Sequence, residues 1–584
     1  MIRPLLCLCG LLAVGHPLQA GVSLELRHLW EGKPFAIPSG TFVTGSGETI
    51  ELSRLAYLLS EPRLLSRGNN ASSGTWLRRN DWFAYVDASS PGGVSRLELG
   101  ALPLRSYTIL QFQVGLDQKT DETDPAQYPA NHPLNPNLNN LHWTPQGGYI
   151  FLAMEGHLRN DGGDPGGFAY HLGNSWNRTT ISLPLSLDLA GPSIIGIDVH
   201  LDRLFDGDEP LQIAANPSTH SRKGDGIARL LKNRLPSAFA VREIRETRPP
   251  APTDSPPPGN LIGTPYRFRL ARGFPIPKLP TAPPLTNEGV ALGKRLFHDP
   301  LLSGTNKQSC SSCHQTAHAL SDPSRFSKGA SGSRGTRNSM PLFNLAWKDS
   351  FFWDGRAPSL RAQAVQPIQS PIEMHDSLPN AIAELEAANY GPLFEAAFGS
   401  AGITEARLGI ALEQFLLTRT SYNSRFDHAA RGKEELTAEE KRGFELFMTE
   451  YDPRRGLKGA DCFHCHGGAL FTDHRFHNNG LRDDDDRGLE SVTGRPTDRN
   501  RFITPSLRNI ALTAPYMHDG RFRTLEEVIS HYDSGLHRSP TLDPNLAKHP
   551  RDGLGLSEED KSSLIAFLRT LTDPQFLPSA KQGN

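Results

Sequence analysis

Hydrophobic positions along this chain follow two different spacings. Between residues 21 and 245 they alternate with polar ones in short runs, as in Val22-Ser23-Leu24-Glu25-Leu26, Tyr107-Thr108-Ile109-Leu110-Gln111-Phe112, Gly148-Tyr149-Ile150-Phe151-Leu152 and Ile194-Ile195-Gly196-Ile197-Asp198-Val199. Gly, Pro and Asn break the runs. Alternation puts successive side chains on opposite faces of a strand, so this half is predicted to be an all-β, antiparallel sandwich. From residue 263 onwards the spacing becomes three and four. Thr286 is placed to cap a helix through Leu296 and Phe297, and Ser557-x-x-Asp560 opens another that carries Leu564, Phe567, Leu568 and Leu571 on one face.

Between the two textures lies Arg248-Pro249-Pro250-Ala251-Pro252-Thr253-Asp254-Ser255-Pro256-Pro257-Pro258-Gly259, an extended, semi-rigid spacer. A chain of 584 residues exceeds a single core. The expected organisation is 1–20 as a secretory leader, 21–245 as the β domain, 246–262 as the linker, and 263–430 and 431–584 as two helical lobes. The leader is read from Met1-Ile2-Arg3, an apolar stretch over 5–14, and the small residue Ala20 before Gly21. After it no stretch approaches the ~20 continuous apolar residues of a membrane span. A formal net charge of −2, with basic residues scattered along the chain, gives no field for nucleic acid.

Of the 6 cysteines, Cys7 and Cys9 fall in the leader. The others form Cys310-Ser311-Ser312-Cys313-His314 and Cys462-Phe463-His464-Cys465-His466. In each motif two thiols can add to the vinyl groups of a haem while the following histidine, His314 or His466, binds the iron. A zinc knuckle or a redox dithiol is the competing reading of one such pair, and two complete copies argue against both. Thioether attachment needs an export compartment, which agrees with the leader and points to the periplasm. His464 is expected to be a spacer facing solvent or a haem propionate. Helices around two covalent haems fit two tandem cytochrome c-like lobes.

The helical half resembles the bacterial di-haem cytochrome c peroxidases and their relative MauG. The resemblance rests on Leu292-Gly293-Lys294-Arg295-Leu296-Phe297, Phe352-Trp353-Asp354-Gly355-Arg356, Pro371-Ile372-Glu373-Met374, Pro505-Ser506-Leu507-Arg508-Asn509 and Thr513-Ala514-Pro515-Tyr516-Met517-His518-Asp519-Gly520. It implies distal residues Gln363, Pro367 and Glu373, with Glu373 as general acid and base for cleaving the O–O bond of hydrogen peroxide, and Trp353 as a relay between the haems. The peroxidase members close their first haem at rest with a histidine from the loop after the first motif. The corresponding stretch, 325–337, contains none, so the first haem is expected to be open; His318, four residues past His314, stays on the proximal side. The second haem is expected to take Tyr532 as its distal ligand, as in MauG, a hard donor that favours high-valent iron; Met517 and His531 are the alternatives. The family's calcium maps onto Asn338, Thr513 and Pro515.

The β half resembles the MbnP-like copper proteins through His132-Pro133-Leu134-Asn135, Leu141-His142-Trp143-Thr144-Pro145-Gln146-Gly147-Gly148-Tyr149, Ala169-Tyr170-His171-Leu172 and Ser218-Thr219-His220-Ser221. In that family a di-haem partner of the MauG type, MbnH, oxidises the first tryptophan of a Trp-x-Trp pair to kynurenine, which helps to hold copper. That tryptophan is Trp143 here; the second position is Pro145, a departure. Imidazole and aniline-type nitrogens suit Cu(I) and Cu(II). The resemblance implies His28, His171 and His220 as copper ligands beside the modified Trp143, with His142 and His200 behind them.

Together these readings describe a periplasmic di-haem enzyme that uses hydrogen peroxide to build a high-valent state and oxidises a protein tryptophan, Trp143 of its own N-terminal domain, for a copper site. A short proline-rich tether holds the two halves at an effective concentration of ~mM order. Two alternatives stand beside it: a peroxidase fed by a small periplasmic redox protein, and a non-enzymatic copper-binding electron carrier.

Overall fold

The computed structural model describes residues 19–67, 74–143, 147–159, 165–247, 262–270, 273–453, 456–482 and 485–577. The leader over 1–18 and most of the linker lie outside the described residues, while Gln19 and Ala20 already belong to the first strand.

The principal strands are β1 (Gln19–Trp30), β2 (Thr49–Ser66), β3 (Val94–Pro103), β4 (Ser106–Val114), β5 (Ile150–Arg159), β6 (Gly166–Gly173), β7 (Thr179–Asp188), β8 (Ser193–His200), β9 (Ser218–Thr219) and β10 (Phe239–Glu246). One sheet runs β10-β8-β1-β3; the other runs β7-β4-β2-β5-β6-β9, with short strands at Thr41–Val43, Thr75–Arg78 and Phe83–Asp87 also pairing with β2. Val22, Leu24 and Leu26 of β1 and Ile195, Ile197 and Val199 of β8 face Leu55, Tyr57 and Leu59 of β2 and Leu110, Phe112 and Val114 of β4 in one core. The expected sandwich is present, but it is not purely antiparallel: β1 pairs parallel with β8, and β9 parallel with β6. Alternation reports a strand's two faces and is blind to the direction of its neighbour. One helix, α1 (Gly226–Ala238), capped by Asp225, adds Leu231 and Leu235 to the same core.

On the outer face of the larger sheet, Leu116, Leu134, Leu141 and Tyr149 fold back over Leu58, Phe151 and Ala153 as a second small core. This covering explains why β5 is buried on both faces, and it carries Trp143 at its edge.

The helical half repeats one construction twice. In the first lobe α2 (Asn287–His298) crosses α5 (Glu405–Leu417); in the second α6 (Ala438–Met448) crosses α10 (Glu558–Arg569). At the first crossing a Cβ on Gly293 would stand 1.8 Å from the Ala411 carbonyl oxygen, and at the second a Cβ on Gly443 would stand 1.9 Å from that of Ser563. Each contact demands glycine, because the backbones themselves touch. Gly293-Lys294-Arg295-Leu296-Phe297 and Gly443-Phe444-Glu445-Leu446-Phe447 are therefore the same Gly-x-x-Leu-Phe device in two lobes.

The lobes are joined by the Pro505–Asn509 block. Arg508, 1 % exposed, donates through both terminal nitrogens to the Asp427 carboxylate at 2.8 Å and through Nε to the Ala469 carbonyl at 2.8 Å. Asn509 donates to Ser421 and accepts from the Asp573 amide. Burial raises the Asp427 carboxyl, but Arg508 and the Ser424 amide and hydroxyl outweigh it and leave it below the ordinary value. Arg508→Met should destabilise the chain by ~3–5 kcal/mol, since it strands a buried carboxylate. Because the folded value is depressed, the native pair's contribution is complete above the unfolded carboxyl value and lost as pH falls through the folded one; thermal melts across the acid range should show this loss in the native chain and not in Arg508→Met.

Candidate active site

Each haem motif forms a single helical turn, α3 (Cys310–Cys313) and α7 (Phe463–His466), in which the histidine amide bonds back to the first cysteine's carbonyl at 3.0 Å. Ser309 and Ser312 close a capping box at the start of the first turn. His314 Nδ1 lies 2.9 Å from the Leu320 carbonyl oxygen, and His466 Nδ1 lies 3.2 Å from that of Phe471. Leu320 and Phe471, whose carbonyls accept, both have left-handed backbone, with φ of 60° and 52°. Holding the Nδ1 proton in this way leaves Nε2 as the iron ligand in each motif. Burial pushes the Cys310 and Cys462 thiols up to about 12 and Cys465 to about 11. That is opposite to the lowered thiol a redox dithiol uses, and with the clamped histidine the residues fit covalent haem.

A cavity of about 1040 Å³ opens in front of His314, Cys310 and Cys313, and Gln363, Pro367, Glu373, Trp353 and Asn338 all line it. Its size suits a large cofactor. Helix α4 (Leu360–Gln369) presents Gln363 and Pro367 one turn apart on one face. Glu373 follows the helix end, where its amide bonds to the Ser370 carbonyl at 3.1 Å and that of Met374 to Pro367 at 3.1 Å. The 325–337 loop packs directly on this segment: the Ala330 amide donates to the Glu373 carbonyl at 2.7 Å, and a Cβ on Gly329 would stand 2.2 Å from the Ile372 oxygen. Among the described residues lining the cavity, His314 is the only histidine, and His318 does not reach it.

Trp353 lies at the joint between the lobes. Its indole donates to the Asn338 carbonyl at 2.8 Å, and it clusters with Phe502 and Ile503 of the second lobe. The His518 ring, stacked on Phe502 with centroids 3.7 Å apart, lies 6.5 Å from the Trp353 ring. Asn338 is tied to the same loop through its amide, which donates to the His518 carbonyl at 2.7 Å; Thr513 and Pro515 precede that residue.

In the second lobe α8 (Leu525–Ser534) carries Tyr532, and the Asn479 side-chain amide lies 3.4 Å from its hydroxyl and 3.3 Å from Met517 Sδ. Burial pushes the Tyr532 phenol up to about 12, with Asn479 acting the other way. His531, one of the alternative ligands, spends Nε2 on the Asn479 carbonyl at 2.9 Å.

The β domain docks on the second lobe. β6 approaches the turn α9 (Pro544–Ala547) so closely that a Cβ on Gly167 would stand 1.7 Å from the Pro544 oxygen. His157 Nε2 lies 2.5 Å from the Leu542 carbonyl, and Asn140 donates to that of Asp473 at 2.7 Å. A gap of about 80 Å³ remains between the halves, lined by Trp143, His142 and His171 on one side and Phe463, His464 and His474 on the other. A Cβ on Gly173 would stand 2.4 Å from Trp143 Cζ3, so the indole lies flush against β6. Pro145 lies outside the described residues.

His220 reaches the same place because β9 pairs with β6 and the Ser221 hydroxyl donates to the His171 carbonyl at 2.9 Å. The His171, His220 and His464 rings form a triangle with centroid distances of 5.0 Å (171–220), 5.5 Å (171–464) and 5.0 Å (220–464). Two expectations are corrected here. His28 does not join the copper set, because its Nδ1 lies 3.0 Å from the Gly93 carbonyl and its Nε2 2.9 Å from the Tyr57 hydroxyl, which uses both ring nitrogens inside the sandwich. His464 does not face solvent: its side chain is 2 % exposed and looks into the β domain. His200 stands at the end of β8 opposite Leu29 and takes no part.

The family model for di-haem cytochrome c peroxidases matches residues 287–435. The methylamine utilization protein MauG of Methylorubrum extorquens is 40% identical over 320 residues, which covers 53% of this chain and 85% of MauG. The chain belongs to the di-haem cytochrome c peroxidase family. Its peroxidase region is a MauG-like oxidoreductase with two c-type haems, and an MbnP domain, matched over residues 19–221, precedes it. This excludes the purely non-enzymatic carrier. Cytochrome c551 peroxidase of Nitrosomonas europaea is 32% identical over 316 residues, 52% of this chain and 86% of that protein. Among solved structures, a MauG-like protein associated with microbial copper homeostasis aligns with TM-score 0.49 and 35% identity over 55% of this chain and 99% of its own. MbnP from Methylosinus trichosporium aligns with TM-score 0.28 and 15% identity over 38% of this chain and 98% of its own.

Docking of the MbnP domain on the peroxidase region is the element most open to a direct check. Gly167→Val should separate the halves while both keep their folds; hydrogen exchange should then rise at 140–143 and 463–474 and stay unchanged in β1 and β8.

Proposed function

We propose that this chain is a periplasmic enzyme that uses hydrogen peroxide to oxidise Trp143 of its own MbnP domain to kynurenine and so completes a copper site. The observation that carries the reading is the position of the Trp143 ring, in the gap it shares with Phe463 and His464 of the second haem motif. Export rests on the leader read from the sequence and on the compartment that thioether attachment requires.

When bound, the haems supply the reduction of peroxide to water and hold the oxidising equivalents that result. Glu373, at the wall of the cavity, takes the proton from the inner peroxide oxygen and returns it to the outer one as water leaves, with Gln363 orienting the pair. Trp353, fixed by its bond to Asn338, bridges the lobes as an aromatic relay. Tyr532 is the proposed distal ligand of the second haem, and Asn338 with the Thr513 and Pro515 carbonyls the proposed calcium site. At Trp143 the balance is two hydrogen peroxide molecules per indole: four electrons are removed, the bond between the two pyrrole-ring carbons breaks, each carbon gains one oxygen, and two waters form. Hydrolysis then releases formate and leaves the aryl amine of kynurenine.

The identity to cytochrome c551 peroxidase of Nitrosomonas europaea supports a second reading, peroxide reduction with electrons from a small redox protein. Peptide mass spectrometry of the haem-loaded chain separates the two. Under the first reading the Trp143 peptide gains two oxygens, or the smaller increment left after loss of formate, at a rate independent of protein concentration. Glu373→Gln should slow that gain by ~10²–10⁴-fold. Peroxide consumed with the peptide unchanged would select the second reading.

A further inference from the structure

Each imidazole of the interdomain triangle is backed by its own carboxylate. Glu155 Oε1 lies 2.9 Å from His171 Nε2, Glu450 Oε2 2.8 Å from His220 Nδ1, and Asp461 Oδ1 2.9 Å from His464 Nε2. The Glu155 contact is a hydrogen bond that holds the proton on His171 Nε2 and leaves Nδ1 as a lone-pair donor, the arrangement that surrounds metal-binding histidines. His171 Nδ1 and both ring nitrogens of His220 are buried without a hydrogen-bond partner, and His464 Nε2 has Lys548 Nζ at 3.2 Å besides Asp461. Buried polar atoms left in that state are costly unless something takes up their lone pairs. One nitrogen from each of the three rings lies within 4.8 Å of the others.

Coordination geometry narrows the choice of ion. The carboxylates are themselves held, Glu155 by Arg54 at 2.8 Å, and Asp461 and Glu450 by Lys548 at 3.0 Å and 3.3 Å, with His549 Nε2 2.9 Å from the second Asp461 oxygen. Imidazole suits copper and zinc alike, but three nitrogens at the corners of a triangle do not offer the tetragonal set of Cu(II); with the MbnP domain supplying two of the three, the donor set favours Cu(I).

We propose that His171, His220 and His464 form one Cu(I) site built across the domain interface, in which the haem-binding half supplies the third ligand. The proposal rests on the reading of the MbnP domain as a copper domain, but it needs no oxidation of Trp143. Two consequences follow from the position of His464, directly before Cys465 in the second haem motif. The complete site exists only in the docked chain, and an ion in it is an immediate neighbour of the segment that anchors the second haem.

The test uses the full haem-loaded chain, prepared both before and after peroxide, with Cu(I) titrated against bicinchoninate. The native chain should take up one tight Cu(I). His464→Gln should weaken it by ~10–100-fold or more, whereas His28→Gln should bind as the native chain does. One equivalent of Cu(I) should also shift the paramagnetic resonance of the second haem in the native chain and not in His464→Gln. Should His464→Gln fail to load haem, Asp461→Asn, which keeps the imidazole, carries the test, with an expected weakening of ~10-fold. Native-like Cu(I) affinity in a folded His464→Gln or Asp461→Asn, or preference for Zn(II) over Cu(I), would overturn the proposal. Cu(I) bound through His464 in a chain whose Trp143 peroxide leaves intact would keep this site and remove the oxidation reading; Trp143 oxidised with no His464 dependence of Cu(I) binding would do the reverse.

Discussion

The contact between β6 and the Pro544 carbonyl, which leaves no room for a side chain at Gly167, fixes where the MbnP domain sits. The placement of His171 on β6 and of His220 directly after β9 follows from it, and so does the gap that holds Trp143. A shift of one residue in the pairing of β6 would turn His171 to the opposite face and take it out of the interface. The short distances there are backbone to backbone or to carbonyls, as at Gly167 and Asn140, and such contacts tolerate little sliding. The interface is therefore a defined register between two folds, and the proline-rich tether serves to hold them near enough to find it.

That interface buries many charges. Glu155, Arg54, Glu450, Asp461 and Lys548 all lie in it or beside it, and His477 is held between Asp473 at 2.8 Å and Asp543 at 2.6 Å. Burial opposes the His477 imidazolium, but the neighbouring carboxylates outweigh it and raise it well above the ordinary value. Networks of this kind contribute little net stability, because desolvation offsets most of the attraction. Their effect is on geometry: a partner displaced by an ångström leaves a bare charge, so the arrangement is strongly specified. A site that must hold an aromatic ring and three imidazoles against a haem motif requires that specification.

The two lobes show economy of another sort. One crossing of helices, permitted by Gly293 or Gly443, and one carbonyl clamp on a histidine Nδ1 are used twice with unrelated loops around them. What differs between the lobes is what surrounds that support: a roomy cavity lined by Glu373 in the first, and the Asn479–Tyr532–Met517 cluster in the second.

Covalent haem attachment was legible in the chain because Cys-x-x-Cys-His is a local pattern, closed within one helical turn. Gln363, Pro367 and Glu373, singled out by the family resemblance, line one cavity because they lie within one helix and the turn that ends it, and the alternating and helical spacings announced the two halves. Strand direction was hidden, because alternation says nothing about the neighbour. His28 looked equivalent to His171 in the sequence; only packing shows that Gly93 and Tyr57 consume its nitrogens. His464 was visible from the start as a residue between two cysteines, and its meaning was not, because its partners lie in another domain, more than 200 residues earlier in the chain. Local chemistry is set by neighbours in sequence, whereas a site shared between domains is set by a docking register that no stretch of sequence contains.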